Sequence, residues 1–250
     1  VTAPRVLVCA GLDPSGGAGL VADLEALAAA GARGWAVATA LTAQGPRGAR
    51  AVVPAPPEML LAQVEALLDG SRERLRAVKT GMLGSGANAA ALAAILSGRR
   101  LARVPLVVDP VLAASSGLPL LEADDARGAL EALLARAALA TPNWPELEAL
   151  AGRSLGSEEE AVRAARALPA RAVLVKGGHR EGAPVDLLVR GRTVARIAGR
   201  RRPGTARGTG CRLASATAGW LARGAPLEEA VRRAKRYVER YLDAAARSGR

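Results

Sequence analysis

The chain has 250 residues, half of them hydrophobic, and 35 Lys and Arg against 23 Asp and Glu leave a formal charge of +12. Apolar content this high can outweigh the entropy of ordering the chain, so disorder is excluded, and the length suits a single α/β domain over 1–250. Two cysteines, Cys9 and Cys211, and one histidine, His179, exclude a disulfide scaffold, multi-cysteine zinc motifs and poly-histidine metal sites.

Short β-rich apolar runs alternate with longer amphipathic stretches, the pattern of a largely parallel sheet covered by helices. A strand over 5–11 leads into a glycine-rich loop and a helix over 18–30, closed by Gly31. A strand over 35–41, a helix over 57–68, a strand over 77–80 and a helix over 87–96 follow. Strands at 106–109 and 138–141 flank a helix at 124–135. Helices at 145–151 and 158–168 precede a strand at 172–176, and Ser157 with Glu160 forms a capping-box pattern. Strands at 185–190 and 193–197, joined by Gly191-Arg192, read as a hairpin. Helices over 209–223 and 227–245 close the chain. The apolar stretch 6–12 is too short to span a membrane and lacks the anatomy of a signal peptide, so a cytoplasmic location is expected.

The positive charge is mostly arginine, since only Lys79, Lys176 and Lys235 are lysines. Those arginines are scattered, with no aromatics interleaved for base stacking, which argues against a nucleic-acid partner.

Two glycine-rich loops carry the functional signal. The first, Gly11-Leu12-Asp13-Pro14-Ser15-Gly16-Gly17-Ala18-Gly19, contains a match to the dinucleotide fingerprint. That reading requires an acidic residue about 20 positions on, and none occurs between Glu25 and Glu58. A Walker loop is excluded because no lysine follows glycine and precedes Ser or Thr. The second loop, Gly208-Thr209-Gly210-Cys211, stands at the start of an apolar helix, where converging amides and the helix dipole bind anions. A cysteine in that place is expected to have a lowered pKa. A plain glycine-containing helix entry with an inert cysteine is the competing explanation.

The two loops occur with Thr39-Ala40-Leu41-Thr42-Ala43-Gln44, Lys79-Thr80-Gly81-Met82-Leu83, Val107-Val108-Asp109-Pro110-Val111, Thr141-Pro142-Asn143-Trp144-Pro145-Glu146 and Val175-Lys176-Gly177-Gly178-His179. In this order, across nearly the whole chain, they strongly resemble hydroxymethylpyrimidine/phosphomethylpyrimidine kinases of thiamine biosynthesis. The resemblance implies a ribokinase-like three-layer α/β sandwich with a mostly parallel central sheet and a small β-flap. It also implies ATP-dependent phosphorylation of a hydroxymethyl group, with Mg2+ as cofactor, and in many members a second phosphorylation of the product.

Under that resemblance Gly11, Asp23, Gln44, Met82 and Val111 bind the pyrimidine. Gln44 can pair with the amino-pyrimidine edge or be satisfied by backbone. Met82 can lie against the ring or simply fill core. Asp23 can reach a ligand above Gly11 or serve the helix dipole. Asp109, at the carboxyl end of its strand, and Glu146 are expected to hold magnesium against ATP phosphates. Asn143 and Lys176 are expected at the nucleotide, although Pro142 and Pro145 also suit a helix start. Gly208, Thr209 and Gly210 would stabilise the transferring phosphoryl oxygens, and Cys211 would accept the alcohol proton. His179 would lie near the nucleotide flap or serve structure.

Departures from the family pattern cluster at the second loop. Thr205-Ala206-Arg207 stands where Asn-Thr-His is usual, and Arg212 replaces a threonine after the cysteine. Ser115, Gly45 and Leu12 also differ. Arg207, expected at the nucleotide, and Arg212 bracket the second loop, where they could add phosphate contacts or instead block a metal or substrate position. A pyridoxal or pyridoxine kinase of the same fold and a non-catalytic pyrimidine-binding module remain as alternatives. A homodimer is left open.

Overall fold

The computed structural model describes residues 2–45, 47–71, 73–113, 120–121, 123–178, 184–202 and 206–247. His179, Ser115 and Thr205 lie outside the described residues. The described elements are β1 (Arg5–Leu12), α1 (Gly19–Ala29), β2 (Arg33–Gly45), β3 (Gly48–Pro54), α2 (Pro57–Leu68), β4 (Leu75–Thr80), α3 (Gly86–Ser97) and β5 (Leu106–Val108). They continue with α4 (Ala123–Arg136), β6 (Leu139–Ala140), α5 (Trp144–Ala151), α6 (Glu158–Ala167), β7 (Val173–Val175), β8 (Val185–Arg190), β9 (Thr193–Ala198), α7 (Thr209–Ala222) and α8 (Leu227–Arg247).

The strands form one sheet in the order β3-β2-β1-β4-β5-β6-β7-β8-β9. The six from β2 to β7 in that order run parallel, and β3, β8 and β9 pair antiparallel with their neighbours at the two edges. The chain winds from β1 to β2 on one side and then to β4 on the other. This makes β1/β4 the point where winding reverses, and a crevice opens at such a point outside the strands' carboxyl ends.

Side-chain alternation along β1 builds the layers. Val6, Val8 and Ala10 point into a core shared with α1, α7 and α8, including Leu20, Leu27, Leu213, Ala218 and Val231. Leu7 and Cys9 point into the opposite core with α2 to α6, including Leu60, Leu92, Leu133 and Leu147. Period-two strands buried on both faces are what helices on both sides require. In the absence of Phe, both cores consist mainly of Leu, Val and Ala. The small residues of α7 let it lie close on α1: a Cβ at Gly219 would stand 2.7 Å from Ala30 Cβ.

Two elements differ from expectation. β2 runs on to Gly45 and pairs with β3, a strand absent from the sequence reading. Its segment, Gly48-Ala49-Arg50-Ala51-Val52-Val53-Pro54, lacks an apolar/polar alternation, and its pairing with β2 supplies the stabilisation. The complete capping box lies at α5: Asn143 Oδ1 accepts the Glu146 amide at 2.8 Å, and Glu146 Oε2 accepts the Asn143 amide at 2.7 Å. At α6 Ser157 caps Glu160 N–H, but the Glu160 carboxylate takes the Gly156 amide instead of returning to Ser157.

Candidate active site

The two glycine loops meet above the β1/β4 crevice. Gly208 caps α7 in the left-handed region at φ 71°, and a Cβ there would fall 2.2 Å from the Gly17 carbonyl oxygen. Gly19, at φ 60°, would place a Cβ 2.2 Å from the Gly11 carbonyl. Only glycine meets both demands, positive φ and backbone contact. Gly11 in turn lies under Met82, with Sδ 2.9 Å from where a Cβ would stand. Met82 belongs to a small apolar cluster with Ala40 and Leu120, against which Val111 packs. Gly11, Met82 and Val111 therefore share one end of the sheet.

Gln44 stands at the far end of β2, half-buried, in register with Ala49 of β3. Thr42 Oγ1 donates to the Leu12 carbonyl at 2.9 Å and ties this strand end to the first loop.

The first turn of α7 has no side-chain cap. The amides of Thr209, Gly210 and Cys211 occupy the helical positions that find no acceptor within the helix. Cys211 is half-buried, and the Gly19 backbone beside it favours the thiolate. Burial pushes the thiol up to about 11, with Lys79 and Gly19 pulling down and Asp23 and Asp109 adding to the rise. This corrects the expectation of a lowered pKa. Removal from water and two nearby carboxylates outweigh the helix terminus at this position.

Below Cys211 lies a buried ion pair. Lys79 Nζ donates to both oxygens of Asp23 at 2.9 and 2.8 Å, and neither side chain is exposed. Ser215 Oγ donates to Asp23 Oδ1 at 2.7 Å. Cys211 and Ser215 are one helical turn apart and share a face of α7. Burial works to lower the Lys79 pKa, but Asp23, Cys211 and Asp109 together raise it, so the ammonium persists. Burial raises Asp23 above the ordinary carboxylate range. The expected ligand contact through Asp23 is corrected accordingly: its oxygens serve Lys79 and Ser215 beneath the site.

A second charged group stands beside the loop. Lys176 Nζ donates to Asp109 Oδ1 at 2.8 Å and lies 3.6 Å from Glu146 Oε2. A Cβ on Gly210 would meet this ammonium at 3.0 Å, which puts Lys176 directly against the start of α7. Thr141 Oγ1 donates to the same Asp109 oxygen at 2.9 Å. Burial acts to raise Asp109, but Lys176 and Lys79 hold it below the usual range. Glu146 is raised by burial and by the Asp109 charge. Asn143, expected at the nucleotide, has its Oδ1 committed to the α5 cap.

Among the described residues no group of three or more His, Cys, Asp or Glu gathers into a metal cage. Asp109 and Glu146 flank one ammonium, which leaves a net negative charge. Magnesium characteristically takes one or two carboxylates and completes its shell with phosphate and water, so this donor set fits it.

The two arginines flanking the second loop turn elsewhere than expected. Arg207, expected at the nucleotide phosphates, here donates to Asp13, Ser15 and the Gly45 carbonyl and so bridges to the first loop. Arg212 is buried, pairs with Glu25 at 2.7 Å and lies over the Tyr241 ring at 4.1 Å. The sequence reading missed Lys79, Ser215 and Thr141 as participants. A lysine inside an otherwise apolar strand run, Ala77-Val78-Lys79-Thr80, was the available signal for the first.

Comparison with known proteins gives a consistent result. The family model for phosphomethylpyrimidine kinase matches residues 13–250. Hydroxymethylpyrimidine/phosphomethylpyrimidine kinase of Rhizobium meliloti is 42% identical over 247 residues, covering 96% of this chain and 91% of that protein. The crystal structure of phosphomethylpyrimidine kinase from Clostridium difficile superposes with a TM-score of 0.81 at 33% identity, covering 96% of this chain and 99% of the other. Pyridoxal kinase from Staphylococcus aureus, in complex with AMP-PCP and pyridoxal, gives 0.83 at 29% identity, covering 96% and 87%. The layered architecture is the ribokinase-like fold of these vitamin kinases, and the chain belongs to the phosphomethylpyrimidine kinase family.

Proposed function

We propose that this chain transfers the γ-phosphoryl group of ATP to the hydroxymethyl oxygen of 4-amino-5-hydroxymethyl-2-methylpyrimidine, and then phosphorylates the resulting monophosphate, as a cytoplasmic enzyme of thiamine biosynthesis. The observation that carries the reading is the position of Gly19, packed on the Gly11 carbonyl with its backbone beside Cys211. It joins the apolar floor of Gly11, Met82 and Val111 to the uncapped amides of α7. A flat ring on that floor, with Gln44 at its edge, would present a hydroxymethyl group toward Cys211. The names of the relatives support the same substrate.

Transfer forms an O–P bond at the hydroxymethyl oxygen and breaks the bond between the γ-phosphorus and the β,γ-bridging oxygen, releasing ADP. The amides of Gly208, Thr209, Gly210 and Cys211 would stabilise the equatorial phosphoryl oxygens, the main task in this chemistry. Lys176 adds positive charge on the same side. Asp109 and Glu146 would hold Mg2+, which when bound neutralises phosphate charge. Asn143 fixes the start of α5 and so the position of Glu146. Cys211 accepts the alcohol proton only as thiolate, a minor form at neutral pH given its raised pKa. The second phosphorylation needs no base, since a phosphate nucleophile is already ionised.

The pyridoxal-bound neighbour supports a second reading, phosphorylation of pyridoxal on the same floor. ADP release measured with hydroxymethylpyrimidine, its monophosphate and pyridoxal tests both. Turnover of the first two at least about tenfold faster than pyridoxal supports the proposal. Tight pyrimidine binding without turnover contradicts it in favour of a binding module.

A further inference from the structure

Arg207 is separated by more than 160 residues from each of its three side-chain hydrogen-bond partners. Its Nη2 donates to Asp13 Oδ2 at 2.7 Å, and its Nη1 donates to the Gly45 carbonyl at 2.7 Å and to Ser15 Oγ at 3.2 Å. Asp13 is the organiser of the first loop. Its Oδ1 accepts the amide and hydroxyl of Ser15, and its Oδ2 also accepts the Ala18 amide at 2.9 Å. The carboxylate is almost fully buried, at 2% exposure, so Arg207 is also the counter-charge it needs. Gly45 lies one residue beyond Gln44. The guanidinium therefore joins three segments: the anion loop at the start of α7, the loop after β1, and the far end of β2.

Two further side chains make single ties between these segments, Thr42 Oγ1 to the Leu12 carbonyl at 2.9 Å and Arg212 Nη2 to the Gly16 carbonyl at 3.5 Å, but Arg207 reaches all three segments at once. Immediately after it, Gly208 meets Gly17 through backbone alone. Tyr241 Oη holds the Arg207 carbonyl at 3.3 Å from the other side, fixing the main chain from which the fork extends. A planar guanidinium can serve a carboxylate and a carbonyl at once, whereas an ammonium is a point donor.

We propose that Arg207 is a positioning residue that latches the phosphate-side loop to the pyrimidine-side loop, so that filling one site orders the other. The coupling rests on the functional reading above; the latch itself rests on the contacts alone. Without the fork, the remaining ties no longer engage the Asp13 carboxylate that organises the first loop, and the two ligands bind independently.

Calorimetric titration of hydroxymethylpyrimidine, with and without saturating AMP-PCP and magnesium, measures the coupling. Wild-type protein is expected to bind the pyrimidine about fivefold or more tightly when AMP-PCP is present. Arg207→Lys keeps the charge and loses the fork, and it is expected to bring that ratio close to one, as is Arg207→Ala. In the ligand-free variants, amide hydrogen exchange over 13–18 is expected to accelerate about tenfold, the signature of a loosened local segment. Full coupling in Arg207→Lys overturns the proposal, because charge alone then suffices. Unchanged exchange over 13–18 in both variants overturns the latch. Wild-type protein that binds AMP-PCP but no pyrimidine overturns the functional reading and the coupling with it, while the exchange of the ligand-free variants decides the latch separately.

Discussion

Lys79 and Asp23 meet at 2.8 Å with neither side chain exposed, one from β4 and the other from α1, directly below the start of α7. Breaking such a pair leaves an uncompensated charge in the interior, a loss of about 3–5 kcal/mol. Lys79→Met should therefore lower the free energy of urea unfolding by that amount. Adding Asp23→Asn removes the stranded charge and should restore at least about 1 kcal/mol through coupling of adjacent sites. Additive losses in the double variant would mean that the two residues act independently.

The raised thiol pKa of Cys211 gives the first phosphorylation a defined pH dependence. With a value of about 11, the thiolate fraction grows about tenfold per pH unit through the neutral and mildly alkaline range. The turnover of hydroxymethylpyrimidine should rise with pH from 7 to 9.5, and that of its monophosphate should not follow it. Cys211→Ala should slow the first step by about 100-fold or more and the second far less. Equal losses in both steps would reject Cys211 as base.

The backbone contact between the glycine loops predicts the effect of adding single methyl groups. Gly208→Ala puts a Cβ 2.2 Å from the Gly17 carbonyl at a φ of 71°, so the loops must separate. Strain of this kind costs about 1–3 kcal/mol. Displacement of the amides by an ångström should cost about 100-fold in kcat/KM. Gly11→Ala instead meets the mobile end of Met82. It should raise the KM for the pyrimidine while nucleotide affinity, read by titration with AMP-PCP, stays within about threefold.

Asp109 contributes an acid-sensitive element. Because its folded-state pKa lies below the ordinary value near ~4, its stabilisation is present above that pH and lost as pH falls further. Lys176 is its nearest counter-charge. Lys176→Ala should therefore lower stability near neutral pH and flatten the acid loss, because Asp109 then loses the charge that depresses its pKa, measured as the urea midpoint between pH 2.5 and 7. An unchanged acid profile would remove the ion pair from the account.

Much of the sheet was legible because strand runs such as 5–11 and 106–109 are short, apolar and punctuated by loops. The helix entry at 209 and the turn at Gly31, with its φ of 74°, followed from glycine placement. β3 was not legible, because an alanine- and arginine-rich edge strand is stabilised by its pairing with β2 rather than by its own pattern. The positions of Asp23 and Arg207 show a related limit. Local spacing identified both as charged residues near glycine loops, but their partners, Lys79 and Asp13, come from segments 56 and 194 residues away. The overall charge of +12 said little about the ligand. The two arginines beside the second glycine loop pair with carboxylates within the fold, Asp13 and Glu25.

The proposed reaction is the transfer of phosphate from ATP to a hydroxymethylpyrimidine. Its most direct test is ADP release by the purified chain with ATP, magnesium and 4-amino-5-hydroxymethyl-2-methylpyrimidine, with the products identified by mass. Stoichiometric ADP, the pyrimidine monophosphate and then the diphosphate are expected. Absence of phosphorylated pyrimidine, or faster turnover of pyridoxal under the same conditions, would contradict it.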